Sequence, residues 1–300
     1  RSGRQSGMST MKGMDPRISA IFEKGSKTYF NSSVFFPESV RRDVFHLYAF
    51  VRTADDFVDA TPQDAAGFRA FRRAYEAAQA SGGMSGDFII DTYLELARRK
   101  GFDPDWATAF LDSMEADLSK STYASLDETL SYIYGSAEVI GLYMAAIMDL
   151  PKEAWPSAQA LGRSMQYINF IRDIEEDNGL GRTYLPLGAS GLPDLRKETA
   201  LARPEDFKAF LRAQAELYLK WQAEAEEGFR LIPRRSRIPI KTASHMYNWT
   251  ARVIQKDPLV VYRKKVKPSK LRILASIVWN SLVPRYDHIH LRPHTGSECR

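Results

Sequence analysis

Cysteine is nearly absent: the 300-residue chain carries one, Cys299. A single thiol permits no intrachain disulfide and excludes a metal site built from four cysteines. It fits a reducing, cytoplasmic setting. Long apolar runs are missing too. The longest, 273–283, is interrupted by Ser276, Asn280 and Ser281 and falls far short of the roughly 20 residues of a membrane-spanning helix, so no span is expected. No apolar h-region follows the first residues, which argues against a signal peptide. Alternating strand patterns are almost absent, and neither an internal repeat nor a low-complexity linker breaks the chain. A net charge of +5, from 42 Lys and Arg against 37 Asp and Glu, is mild, and no recognition motif accompanies it, so a nucleic-acid partner is not expected.

What is present is a helical period. Hydrophobic residues make up 44% and charged residues 26%, a balance that excludes a disordered chain. At this length roughly three-quarters of the unfolded surface can be buried. Apolar residues recur at three- and four-residue steps, as in Val40, Val44, Leu47, Tyr48, Val51 and Val58, which is the stripe of an amphipathic helix. The pattern predicts helices over 37–59, 68–80, 87–100, 105–118, 126–150, 157–176, 204–232, 238–256 and 270–283, with a loop over 179–193. The expected fold class is all-α, a single helical domain over 15–285. Residues 1–14 read as a disordered leader or expression scar, and 286–300 as a polar tail.

Two acidic clusters stand out. Asp55, Asp56 and Asp59 end the first long helix. Asp55 and Asp59 share one face a turn apart, where like charges repel by a few tenths of a kcal/mol. Alone, this cluster reads first as a solvated helix end. The second cluster holds Gln166, Asn169, Arg172, Asp173, Glu176 and Asp177. Asn169, Asp173 and Asp177 form an i, i+4, i+8 ladder among apolar neighbours, which a solvated face does not explain. Two such ladders facing one another across a bundle would offer the hard oxygen donors Mg²⁺ requires, with water and substrate phosphate completing the shell.

These motifs resemble those of the squalene/phytoene synthase family, the head-to-head trans-isoprenyl diphosphate synthases. The likeness runs from about residue 22 to 270 and includes Ser26-Lys27-Thr28-Tyr29-Phe30, Leu47-Tyr48-Ala49-Phe50-Val51-Arg52 leading into Asp55-Asp56-Phe57-Val58-Asp59, Tyr132-Ile133-Tyr134-Gly135-Ser136-Ala137, and Gly181-Arg182-Thr183-Tyr184-Leu185-Pro186. All occur in family order. The resemblance implies an isoprenoid-synthase bundle around a central apolar cavity. It also implies a Mg²⁺-dependent prenyltransferase, with Mn²⁺ as a substitute, acting on isoprenyl diphosphates. Its metal-side residues would be Asp55, Asp59, Asn169, Asp173 and Asp177, supported by Asp56 and Glu176. Arg52, Arg172, Arg182 and Lys27 would meet diphosphate; Tyr48, Gly135 and Gln166 would line the substrate path. Tyr132 would contact diphosphate or assist proton removal. The texture of 257–270 is most similar to bacterial and archaeal members that form phytoene from two C20 diphosphates through a cyclopropyl diphosphate. The alternative is squalene or dehydrosqualene synthesis from two C15 diphosphates, where NADPH enters only for squalene. A noncatalytic assembly factor would have decayed motifs, and a terpene cyclase a different second motif.

Phe30, Phe35, Phe36, Tyr134, Ala137, Gly141, Ala145 and Ala146 are candidates for the cavity wall, although small and aromatic residues on a helix more often mark close packing. His288, His290 and His294 near Cys299 read as incidental residues of a tail, since zinc sites need a closed geometry. The basic run Arg263-Lys264-Lys265-Val266-Lys267-Pro268 with Lys270 reads first as solvated surface, with a phosphate-facing lid or a peripheral membrane patch as alternatives. Oligomeric state has no signature in the sequence.

Overall fold

Helix α1, Glu38–Asp59, starts where Pro37 fixes the chain and ends at Ala60. Its buried stripe Val44, Leu47, Phe50, Ala54 and Val58 follows the expected three- and four-residue steps. The computed structural model describes residues 15–18, 21, 36–269, 272–273, 276 and 279–280. Lys27, Phe30, Phe35, Lys270, the leader, the tail histidines and Cys299 lie outside the described residues.

Three helices pack around α1, each with legible punctuation. Asp64 caps α2 (Ala65–Ser81), which stops at Gly82 with φ +66°. Asp87 accepts from the amides of Ile89 and Ile90 at the start of α3 (Phe88–Lys100), and Gly101 ends it. Asp103 caps α4 (Pro104–Ala116), whose first residue is proline, as suits a position with no amide to satisfy. Their shared core is aromatic: Phe50 stacks on Tyr93 with centroids 4.0 Å apart, and Phe71, Tyr75, Phe110 and Trp106 surround them. Burying each ring contributes roughly 1.5–3 kcal/mol.

The expected helix over 126–150 is present but not regular. It runs as α5 (Leu126–Ile133), one π-helical turn at Tyr134–Glu138, and α6 (Val139–Ile147). π turns are rare and concentrate at functional sites. This 22-residue helix is long and apolar enough to cross a membrane by length and composition, which corrects the expectation that no segment qualifies. Here it is a core helix: Thr129, Ile133, Val139 and Ala145 are fully buried. It crosses α7 (Trp155–Arg172) through two reciprocal glycines. A Cβ on Gly141 would overlap the Ala158 carbonyl, and one on Gly162 the Ala137 carbonyl.

The helix expected over 157–176 is broken. α7 ends at Arg172 and α8 (Ile174–Gly179) follows, with Asp173 between them at φ −100° and ψ 18°. The ladder survives the break, because the Asp173 amide donates to Asn169 at 2.8 Å and the Asp177 amide to Asp173 at 2.9 Å. After α9 (Lys197–Ala202), α10 (Pro204–Glu226) lies along α7, and Ser164 donates to buried Gln222 at 2.9 Å. α11 (Arg234–Lys256) and the 3₁₀ segment Pro258–Tyr262 complete a second core with Tyr167, Phe207, Tyr218 and Ile254. One region departs from the expected helices, since 227–231 is 3₁₀ rather than α, and α9 lies in a stretch for which no element was expected. Among the described residues the only β pairing is an isolated parallel bridge between Thr122 and Thr183. It pins the loop after α8 beside the α4–α5 connection.

Candidate active site

The first acidic motif occupies the last turns of α1. Arg52 pairs with Asp55 at 2.7 Å and with Asp56 at 2.6 Å, the neighbours its three- and four-residue spacing dictates. Burial, then the charge of Asp59, then those of Asp56 and Asp117, push the Asp55 carboxyl up to about 7 against the opposing pull of Arg52. Arg52 is held charged: burial works against it, and Asp55 and Asp56 outweigh that cost. Tyr48, half-buried one turn earlier, packs with Phe45 and Ala49 toward Ile18 and Ile21.

The second motif straddles the α7–α8 break. Arg172 donates from Nε to Asp173 Oδ1 at 2.9 Å and from Nη2 to Asp173 Oδ2. Lys265 approaches from another part of the chain, 3.7 Å from Asp173 Oδ1 and ion-paired with Glu176. Asp177 has no ion pair among the described residues. Burial first, and then Asp173 and Glu176, push its carboxyl up to about 7. Asn169 Oδ1 is buried without a hydrogen-bond partner, and Gln166 is half-buried one turn before it.

Arg182 joins the two motifs. Its Nη1 donates to Asp59 Oδ1 at 3.2 Å, and its Nη2 to the carbonyls of Val58 at 3.1 Å and Asp117 at 3.5 Å. Gln63 bridges the same two carbonyls, at 2.7 and 2.9 Å. Asp117, just past α4, is the hub beneath. Tyr132 donates to its Oδ2 at 2.7 Å and Tyr184 to its Oδ1 at 3.0 Å. Burial raises the Asp117 carboxyl, while Tyr132, Arg182 and Tyr184 hold it down. Burial likewise raises Tyr132 far above its ordinary value, so it stands as a neutral phenol donating to a carboxylate. Tyr184 stacks on Phe170 with centroids 4.3 Å apart and planes 6° from parallel. A shallow open cleft of only about 10 Å³ beside them is lined by Phe170, Asp177, Asn178, Arg182, Tyr184 and Leu195 among others.

The structure thus gathers Arg52, Asp55, Asp56, Asp59, Tyr132, Asn169, Arg172, Asp173, Glu176, Asp177 and Arg182 around one region. Gly135 lies on another side: a Cβ there would overlap the Ala109 carbonyl and Ser113 Oγ of α4. Close helix packing therefore accounts for its missing side chain, as it does for Gly141. Tyr134 is 38% exposed. Sequence reasoning missed Asp117, Gln63 and Lys265, and gave Tyr184 no role. Tyr184 lay inside a quoted motif and Lys265 inside the basic run; Asp117 carries no local signal, because only the α4–α5 connection brings it here.

As a place for divalent cations, the donor set fits. It supplies hard oxygens, an orphaned buried carbonyl at Asn169, and carboxylates at Asp55 and Asp177 whose proton affinity is raised first by burial and then by neighbouring carboxylates. Among the described residues no three acidic, histidine or cysteine groups lie close enough to enclose an ion. Phosphate oxygens and water must complete any coordination shell, which is how Mg²⁺ is usually held.

Comparison with known proteins shows the family and the fold. The family model described as Squalene/phytoene synthase matches residues 22–272. The chain is 28% identical to a 15-cis-phytoene synthase of Pantoea ananas, covering 90% of this chain and 94% of that one. It is 32% identical to a 15-cis-phytoene synthase of Enterobacter agglomerans, over 75% of this chain and 80% of that one. In fold it is similar to a crystal structure of a dehydrosqualene synthase in complex with ligand, with a TM-score of 0.75, 22% identity, and coverage of 88% and 94%.

Proposed function

The chain belongs to the squalene/phytoene synthase family, and from that premise we propose that it condenses two geranylgeranyl diphosphates head to head, through a cyclopropyl diphosphate, to form phytoene. It is a prenyltransferase. The observation that carries the reading is the bond from Arg182 to Asp59. Because the Arg182 amide also donates to the Asp177 carbonyl at 2.8 Å, this bond supports the reading by tying together two acidic motifs distant in sequence.

Asp55, Asp59, Asn169, Asp173 and Asp177, with Asp56 and Glu176 in support, would hold Mg²⁺ or Mn²⁺, which supplies Lewis-acid neutralisation of the departing diphosphate. Arg52, Arg172 and Arg182 stand beside these carboxylates as fixed donors for phosphate oxygens, and need little rearrangement as negative charge develops on the leaving group. Lys27 would join them. Tyr132, neutral and tied to Asp117, offers a polar group to the substrate without adding charge. Phe170, Tyr184 and Tyr132 set aromatic faces beside the acidic region, suited to shelter an allylic cation from water. Gln166 and Tyr48 would border the prenyl path. An apolar hydrocarbon product calls for an apolar acceptor, so peripheral membrane contact belongs to the same proposal.

The test is product analysis after incubating the chain with Mg²⁺ and labelled C20 or C15 diphosphate. Phytoene from the C20 substrate is the expected result. A C30 hydrocarbon from the C15 substrate alone would replace the reading with squalene or dehydrosqualene synthesis, and dependence on NADPH would then mark squalene. No diphosphate release from either substrate removes the enzymatic reading.

A further inference from the structure

Almost every carboxylate of the two motifs is ion-paired with a cation of the chain itself. Arg52 serves Asp55 and Asp56, Arg182 serves Asp59, Arg172 serves Asp173, and Lys265 serves Asp173 and Glu176. The three arginines belong to the motifs or to the loop pinned beside them. Lys265 does not: it lies 89 residues beyond Glu176, in a stretch without regular secondary structure.

That stretch is nevertheless delivered accurately. Tyr262 donates to the Leu195 carbonyl at 2.6 Å, and Asn178, next to Asp177, donates to the same oxygen at 2.7 Å. Val266, on the other side, is buried. The backbone around Lys265 is therefore tied to the helix that carries the second motif, while its side chain remains 40% exposed. The geometry at the acceptor is equally telling. Arg172 takes one acceptor direction on each oxygen of Asp173. A carboxylate offers about four such directions in all. Lys265 stands toward those left over, between Asp173 and Glu176, where an incoming metal ion would have to find its oxygens. Two cations within about 4 Å of one carboxylate repel each other. The flexible ammonium of a lysine, in a partly exposed pair, gives way more readily than the half-buried guanidinium fork of Arg172.

We propose that Lys265 is a tethered counter-ion of the second acidic motif, seated on Asp173 and Glu176 in the metal-free enzyme and displaced when the metal binds. It offsets part of the negative charge of the second motif, and it sets the threshold for metal entry. The inference rests on the metal-dependent reading above and adds to it a competitor built into the chain.

Counting free Mn²⁺ by electron paramagnetic resonance tests this on the full chain, with and without inorganic pyrophosphate. Lys265→Met and Lys265→Gln should each bind Mn²⁺ about three- to tenfold more tightly than the parent without pyrophosphate. Lys267→Met, which removes an exposed charge of the same run, should stay within about twofold. Equal or weaker binding by both Lys265 variants overturns the proposal while leaving the metal reading intact. A gain in Lys267→Met as large as that of the Lys265 variants also overturns it, since the effect is then one of net charge. No Mn²⁺ binding by any of these proteins, even with pyrophosphate, overturns the metal reading and the proposal together.

Discussion

Arg182 reaches Asp59 across 123 residues of sequence, with Nη1 at 3.2 Å from Oδ1. The same guanidinium also donates to the carbonyls of Val58 and Asp117 and lies 3.5 Å from the Tyr184 hydroxyl. A planar fork can serve partners in several directions at once, and an ammonium cannot.

Arg182→Lys should therefore keep the charge and lose the junction. The expected outcome is a fall in kcat/KM of about 10²- to 10³-fold, the size seen when one fixed donor of a developing anion is removed. Far-UV circular dichroism should be unchanged, because α1, α7 and α10 do not depend on this side chain. A variant within threefold of the parent would show that the bond to Asp59 is incidental to turnover.

Asp117 makes a different prediction, because its neighbours are buried hydroxyls. Tyr132 and Tyr184 donate to separate oxygens of one carboxylate. In Asp117→Asn one of those oxygens becomes an NH₂ group, so one phenol loses its acceptor. A buried polar group left without a partner costs about 1–3 kcal/mol, and urea unfolding should register that loss with an unchanged slope. Tyr132→Phe removes one donor and leaves the carboxylate intact, so it should cost less, about 0.5–1.5 kcal/mol. The reverse order would remove Asp117 from the centre of the network.

The contrast between these residues explains how much of the site was legible in the sequence. Asp55, Asp59, Asn169, Asp173 and Asp177 announce themselves through helical spacing, because local backbone geometry alone puts them on shared faces. Helix ends at Asp64, Asp87, Asp103, Gly82 and Gly101 are similarly local matters of capping. Asp117 and Lys265 became visible only once the chain was folded, since each meets its partners through a connection whose path no short pattern records. The π turn at Tyr134–Glu138 was hidden for a related reason: it lies where Gly135 packs against α4, a tertiary contact that no short pattern records, and an apolar helical run looks the same with or without it.

Proton affinity gives a pH-dependent prediction with a definite sign. Burial and like charges push Asp55 and Asp177 up to about 7 in the folded chain, above the usual carboxylate value near 3.9 of an unfolded chain. Between those values the native state binds more protons than the unfolded one, so stability falls as pH rises from about 4 to about 7. In chelator-treated protein, Asp177→Asn should gain thermal stability over the parent at pH 7.5 and lose that advantage near pH 4. Because a bound cation requires the ionised carboxylates, divalent-ion affinity should weaken as pH drops below about 7. A stability difference between variant and parent that does not change with pH would mean that Asp177 is not strained by its neighbours.

The crossing of α6 and α7 offers the sharpest link from packing to catalysis. Gly162 lies on α7 one turn before Gln166 and two before Asn169, and it stands against the backbone of the π turn that follows Tyr132. A methyl at Gly162 would meet the Ala137 carbonyl, and backbone cannot swing aside as a flexible side chain can. The helices must then separate by a few tenths of an ångström or more, at about 1–3 kcal/mol. That displacement also shifts the Asn169–Asp173 ladder relative to Tyr132 and Asp117. Gly162→Ala should accordingly lower Tm and kcat together, the latter more than tenfold, since small misplacements of reacting groups carry large rate penalties. Gly82→Ala provides the comparison. Its φ of +66° strains any side chain, yet nothing lies within 4 Å of an added Cβ, so it should cost about 1 kcal/mol while leaving kcat within twofold. Equal effects of the two substitutions on kcat would show that the glycine crossing supports the fold but does not set the register of the acidic motifs.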